Sequence, residues 1–279
     1  MKLYKTTQGN LLETNQGFFL LPEKDWDKLI NNDNLFADLR ALSEQLSPCE
    51  QAQQWLTQHL QAPVSRQELW ASGVTYFRSK QGRQEEANAS GGADFYQRVY
   101  EAPRPELFFK ASANRIAGHG QPVRIRRDSS WDVPEPELVL VISASGKIIG
   151  YSIGNDMSSR SIEGENPLYL PQAKTYDGCA ALGPCILVTD KPLPADTCIH
   201  LKIVRAGKAV FADKIAINQI KREFSQLVEY LYRECSFAHG ALLMTGTGIV
   251  PQSSFTLQIG DEVTIAIDGI GTLVNQVGA

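Results

Sequence analysis

The sequence predicts an α+β chain in which strands predominate, with a smaller helix-containing N-terminal domain (residues 1–70) ahead of a larger strand-rich domain (residues 71–279). Three observations predict it. Apolar residues between positions 25 and 60 recur at gaps of three and four, the period of amphipathic helices. Beyond residue 107 they gather instead into short runs of strand length, punctuated by Gly, Asp and Ser. A length of 279 residues is enough to bury a sizeable core in one large unit or two unequal ones.

Taken in order, residues 1–70 read as strand-poor. Trp26, Leu29, Ile30, Leu35, Leu39, Leu42, Leu46, Trp55, Leu56 and Leu60 define helices broken near residues 31–34 and at Ser47-Pro48. Pro63 closes this region, and GVTYFRSK at 73–80 reads as a short strand or an extended entry into the main domain. Residues 81–100 are polar and glycine-containing before an aromatic helical pattern starts, so they read as a loop that either borders a pocket or is a plain surface excursion. ELVLVI and KIIGYSI, separated by SASG, form a hairpin. LKIVRAGKAVF, FTLQI and EVTIAI continue as strands, and residues 218–243 make one long helix in which Phe224, Leu227, Val228, Leu231 and Tyr232 face the core.

Composition narrows the function. With 31 acidic and 27 basic side chains the net charge is -4, which argues against a surface built to follow a phosphate backbone. The basic run RIRR at 124–127 reads as solvated surface. The five cysteines form no CxxC pair, and no signal-peptide pattern or membrane-length apolar run occurs, so a cytoplasmic protein with reduced thiols and no membrane association is expected. Neither GxxxxGK[ST] nor GxGxxG is present, so no nucleotide cofactor is expected, and without GxSxG the serines are poor nucleophiles. Small polar molecules are the expected partners.

The densest polar signal in an apolar setting is DVPEPELVLVI followed by GYSIGNDMSSR. In an extended strand Glu135 and Glu137 point to the same side. Two carboxylates in one small volume require a proton, a basic group or a hard cation. Asp156, placed by a turn after Gly154 and Asn155, would be a third, and three oxygen ligands with water describe a Mg²⁺ site that Mn²⁺ or Ca²⁺ also fits. The contrasting reading makes Glu135 and Glu137 the wet face of an edge strand and Asp156 a turn cap. Lys174 and Arg160 are either surface charges or groups that hold a substrate carboxylate, with Lys174 also a proton carrier. His119, between two glycines, is an acid–base candidate or a plain loop residue. Glu85 and Glu86 join it if their loop folds over the site. TGTGIVPQ at 245–252, including Thr247, reads as a backbone-lined turn for an anion or keto acid.

DVPEPELVLVI, GYSIGNDMSSR, AKTYDGCAALGP, LLMTGTGIVP and IGDEVTIAIDGIGTLVNQV together resemble the fumarylacetoacetate hydrolase family, from about residue 73 to the C-terminus. The resemblance implies a mixed β-roll, usually associated as a homodimer or a dimer of dimers. It also implies Mg²⁺ held by Glu135, Glu137 and Asp156, an active-site Lys174, and Thr247 on the substrate's keto acid. FRSKQGRQEEANASGGADFYQRVYEAPRPELFFKASANR and SRSIEGENPLYLPQAK are more similar to the branch that dehydrates 2-keto-3-deoxy pentonates of sugar-acid metabolism. The expected activity is a metal-dependent carbon–oxygen lyase turning a 2-keto-3-deoxy pentonate, of the arabinonate or xylonate type, into 2,5-dioxopentanoate. Lys174 would handle the carboxylate or a proton, His119 or the Glu85–Glu86 loop would protonate the leaving hydroxyl, and residues 88–93 would close over the site. The alternatives are hydrolysis of acylpyruvate-type diketo acids, which breaks a carbon–carbon bond, decarboxylation of an oxaloacetate-like acid, and a scaffold without turnover.

Overall fold

The computed structural model describes residues 1–80 and 93–278. Three short strands open the chain: β1 (Lys2–Thr6), β2 (Gly9–Thr14) and β3 (Gly17–Leu20). The expectation of a strand-poor lead segment is therefore wrong for its first 20 residues. Each strand is at most 6 residues long, and buried Thr6 and Asn10 together with adjacent buried Leu11 and Leu12 break the alternation that marks longer strands. The helices follow as the periodicity predicts, with α1 (Trp26–Ile30), α2 (Leu35–Ser43) and α3 (Ala52–Gln58) broken at the expected places. Asp25 caps α1, its side chain accepting from the backbone N–H groups of Asp27 and Lys28.

The next elements are β4 (Glu68–Gly73), α4 (Ala93–Glu101), β5 (Glu106–Ala111), β6 (Ile116–Ala117) and β7 (Val123–Arg124). The strand expected at 73–80 thus ends where it was predicted to begin, and residues 77–80 are helical. The long hairpin β8 (Asp132–Ile142) and β9 (Ile148–Ser159) forms as predicted, followed by the short helices α5 (Arg160–Glu165) and α6 (Leu170–Lys174) and by β10 (Ala180–Leu187). β11 (Cys198–Arg205) and β12 (Lys208–Ala216) make a second hairpin, turning through Gly207 at φ 78°. The helix expected over 218–243 is shorter, α7 (Phe224–Tyr232). The apolar residues beyond it belong to a turn at Gly240 and to β13 (Ala241–Met244). FTLQI is irregular rather than a strand, and β14 (Glu262–Ile267) and β15 (Gly271–Gly278) complete the chain.

These strands form two sheets. The larger runs β3-β2-β1-β10-β9-β8-β13-β4-β5, with β6 paired to β10, and the smaller runs β12-β11-β14-β15-β7. Residues 1–20 therefore extend the large sheet, through the antiparallel pairing of β1 with β10. One face of β8 (Leu138, Leu140, Ile142) packs in a core shared with Leu201, Ile203 and Ile265 of the small sheet. Its other face (Val139, Val141) packs in a core shared with Leu3, Leu12, Trp26, Ile30 and Leu39. With a core on each side, all eleven residues of β8 are buried.

Candidate active site

The register of the β8–β9 hairpin assembles the first three candidates. Glu135 faces Asp156 directly across the ladder, and Glu137 faces Gly154 two residues away on the same side. Asp156 therefore reaches the cluster from mid-strand, not from a turn as the sequence suggested. Carboxylate oxygens of Glu135, Glu137 and Asp156 lie within 4.8 Å of one another, and the three residues are 4%, 1% and 1% exposed. The wet-edge reading of the two glutamates fails because β8 is an interior strand.

Buried cations surround two of the three. Lys174 Nζ lies 2.7 Å from Glu135 Oε2 and 3.1 Å from Asp156 Oδ2, and donates to Ser158 Oγ at 2.5 Å. Lys110 Nζ, fully buried, lies 2.6 Å from Asp156 Oδ1 and donates to the carbonyls of Met157 and Lys174. Arg160 opens α5, whose N-cap Ser159 accepts from the N–H of Ile162, and its Nη2 donates to Glu135 Oε1 at 2.8 Å. Glu163, on the same helix, stands 3.5 Å from Lys174 Nζ and 3.8 Å from Arg160 Nε. Lys174 itself ends the helical turn α6 rather than lying in an irregular connection.

Glu137 is served differently. Its Oε2 accepts from the N–H of Gly246 at 2.5 Å, and no ion pair brings a lysine or arginine within 4.0 Å of it among the described residues. Burial, with Asp156 and Glu135 adding repulsion, holds its carboxyl well above the usual carboxylate range, against partial relief from Lys174 and the Gly246 N–H. A buried, all-oxygen donor set with one member poorly compensated suits a hard divalent cation. The turn that carries Gly246 is built for this approach. At φ 92° a Cβ on that residue would lie 2.0 Å from Thr75 Oγ1 and 2.9 Å from the Ser72 carbonyl, so only glycine brings its N–H onto Glu137.

The cluster forms the floor of a small pocket of about 10 Å³, also lined by Ser72, Val74, Phe108 and Thr247. Beside it lies a cavity of about 340 Å³ whose wall includes Tyr96, Val99, Glu106, Leu107, Glu163 and Leu170. Glu163 touches the cluster's cations, and the Glu106 carboxylate packs against Gly73 of the small pocket, so both carboxylates stand where the two spaces meet.

Of the sequence candidates, Glu135, Glu137, Asp156, Lys174, Arg160 and Thr247 come together here. His119 does not. Its exposed ring accepts at Nδ1 from the N–H of Val274 on β15, at 3.3 Å, and no histidine is among the described residues lining either pocket. Glu85, Glu86 and residues 88–92 of the expected 88–93 closing segment lie outside the described residues. Sequence reasoning missed Lys110, Glu106 and Glu163. Lys110 had a signal, a lysine inside the apolar run LFFKA. Glu163 lay unassigned in SRSIEGEN, and Glu106 in EAPRPELFF had no local mark.

A cation-ready carboxylate triad on an interior hairpin, beneath a cavity edged by two further carboxylates, defines a metal-assisted enzyme of small acids. The chain belongs to the fumarylacetoacetate hydrolase family, whose profile, described as Fumarylacetoacetate (FAA) hydrolase C-terminal, matches residues 75–278. It is 46% identical over 224 residues to a probable 2-keto-3-deoxyxylonate dehydratase of Haloferax volcanii, covering 80% of this chain and 76% of that protein. It is 44% identical over 217 residues to the 2-dehydro-3-deoxy-D-arabinonate dehydratase of Saccharolobus solfataricus, covering 77% and 73%. Its fold also matches a solved structure of 2-keto-3-deoxy-D-arabinonate dehydratase complexed with magnesium and 2,5-dioxopentanoate, with a TM-score of 0.83, 35% identity, and coverage of 100% of this chain and 99% of that one. The match to that structure includes the N-terminal strands and helices, beyond the region whose motifs carry the resemblance.

Proposed function

We propose that this protein is a Mg²⁺-dependent hydro-lyase that removes water from a 2-keto-3-deoxy pentonate to give 2,5-dioxopentanoate. The observation that carries this reading is the placement of Glu106 and Glu163 between the carboxylate triad and a cavity of pentonate size, with no histidine among the described lining residues. The similarity to two pentonate dehydratases supports the same substrate class.

Glu135, Glu137 and Asp156 would hold the cation. When bound, it supplies the positive charge that polarises a 2-keto oxygen and stabilises an enolate. Arg160 and Thr247, both buried at the pocket, orient the substrate's carboxylate and keto group. Lys174 and Glu163, 3.5 Å apart, form a proton-exchanging pair at C3. Glu106 protonates the hydroxyl leaving C4. The first stage breaks the C3–H and C4–O bonds, forms the C3=C4 bond and releases water. A proton then leaves C5 and one returns to C3, giving the enol of C5, which ketonises to the aldehyde.

The test is incubation of Mg²⁺-loaded protein with both stereoisomers at C4 of the substrate and with an acylpyruvate, with products identified by NMR and mass. Formation of 2,5-dioxopentanoate is expected. Hydrolysis of the acylpyruvate to pyruvate and an acid, with the pentonates returned unchanged, overturns the proposal in favour of a hydrolase. A homodimer or dimer of dimers and a cytoplasmic location belong to the same proposal, and sedimentation and cell fractionation check them. No helix among the described residues is long and apolar enough to cross a membrane.

A further inference from the structure

Away from the active site, the described residues contain a second group of three metal-ligating side chains within reach of one ion: Cys198, His200 and Asp268. Cys198 and His200 are two positions apart on β11 and so share its outward face, while Ile199 and Leu201 point into the core. Asp268 follows β14 directly opposite Cys198. Its N–H donates to the Cys198 carbonyl at 3.1 Å, and the Cys198 N–H donates back to its Oδ2 at 3.0 Å. That return bond fixes the carboxylate so that the other oxygen, Oδ1, lies 3.1 Å from His200 Nε2. Donor atoms of all three side chains fall within 4.8 Å of one another.

We propose that Cys198, His200 and Asp268 form a second metal site, distinct from the carboxylate triad, that takes Zn²⁺ or a similar thiophilic divalent ion. The donor types decide the ion. One thiolate, one imidazole and one carboxylate oxygen match the ligands of Zn²⁺, whereas Mg²⁺ and Ca²⁺ require oxygen donors throughout. Ligand atoms around tetrahedral Zn²⁺ sit roughly 3–4 Å apart, so small side-chain rotations close the set. The backbone bond to Asp268 Oδ2 supplies the outer-sphere support that orients a ligating carboxylate. The site faces solvent, which leaves the fourth position to water. Lys214, paired with His200 across β12 and acting electrostatically on Asp268, opposes the ion and keeps affinity moderate.

The test titrates Co²⁺, an absorbing substitute for Zn²⁺, into the full chain in saturating Mg²⁺. A thiolate-to-cobalt charge-transfer band is expected, saturating at one ion per chain and abolished by added Zn²⁺. It should vanish in Cys198→Ser, and His200→Ala should weaken Co²⁺ binding by roughly tenfold or more. Both variants should keep wild-type turnover of the keto acid. Glu137→Ala should leave the band intact because the triad contains no sulfur, so the result stands apart from the fate of the proposed activity. Absence of the band at millimolar Co²⁺, or its persistence in Cys198→Ser, overturns the assignment.

Discussion

Glu137 receives a backbone N–H from Gly246, while Lys174, Lys110 and Arg160 pair with Glu135 and Asp156. Two opposite outcomes follow from that imbalance. Glu137→Gln keeps the acceptor for Gly246 but removes a carboxyl whose charged form burial and its neighbours disfavour, so its melting temperature in EDTA should exceed that of the wild type. The same variant should lose Mg²⁺ affinity and activity together, as measured by calorimetry and turnover. Gly246→Ala should lose both as well, because its Cβ collides with Thr75 and the turn must withdraw its N–H. Lys110 is the structural counterpart. Lys110→Met leaves Asp156 Oδ1 without its buried ion-pair partner and two carbonyls without their donor, a loss of about 3–5 kcal/mol in urea denaturation.

At the scale of elements, α1 is tied to the main chain through Asp27, which is 4% exposed. Burial raises the pKa of its carboxyl, but hydrogen bonds from the side chain and backbone of Arg66 and from Gln67 outweigh that, and the net shift is downward from 3.8. A carboxyl with a depressed folded-state pKa gives stability that is present above its unfolded value and lost as pH falls through the folded one. Asp27→Asn should therefore cost about 1–3 kcal/mol at neutral pH, and the gap from wild type should narrow below pH 3.8, as followed by denaturation at several pH values. Helices α1–α3 and the β8–β9 hairpin were legible because their period or length is unambiguous. The strands β1–β3 were not, since buried Thr6 and Asn10, adjacent buried Leu11 and Leu12, and exposed Leu20 break the alternation of apolar and polar residues. The helix over 218–243 was overextended because periodicity cannot distinguish a buried four-residue strand such as Ala241–Met244 from another helical turn. In the site, spacing put Glu135 and Glu137 on one side of a strand but left a wet edge and a metal site both open, and the family resemblance chose between them. Lys110 and Glu106 gained their roles only from pairings between distant strands.

For the whole molecule, two cores share β8 and β9, so an ion held by these strands is linked to global stability. An ion that binds only the folded chain at a hundred times its dissociation constant adds about 2.7 kcal/mol, which raises the melting temperature by about 5–10 °C for a chain of this size. Scanning calorimetry with and without Mg²⁺ should show that rise, and Glu137→Ala should remove it. Leu12→Ala, in the core between the N-terminal strands and β8, should cost about 2–5 kcal/mol in the same measurement.

The double packing of β8 also sets a sequence of events. With a core on each side of the strand, the triad opens, among the described residues, toward the small pocket and the cavity beyond Glu106 and Glu163. On the proposed function, ion and keto acid share this doorway, and the one that rests deeper must arrive first and leave last. Binding is then ordered: a seated keto acid acts as a stopper, and the escape rate of the ion falls as the acid's concentration rises.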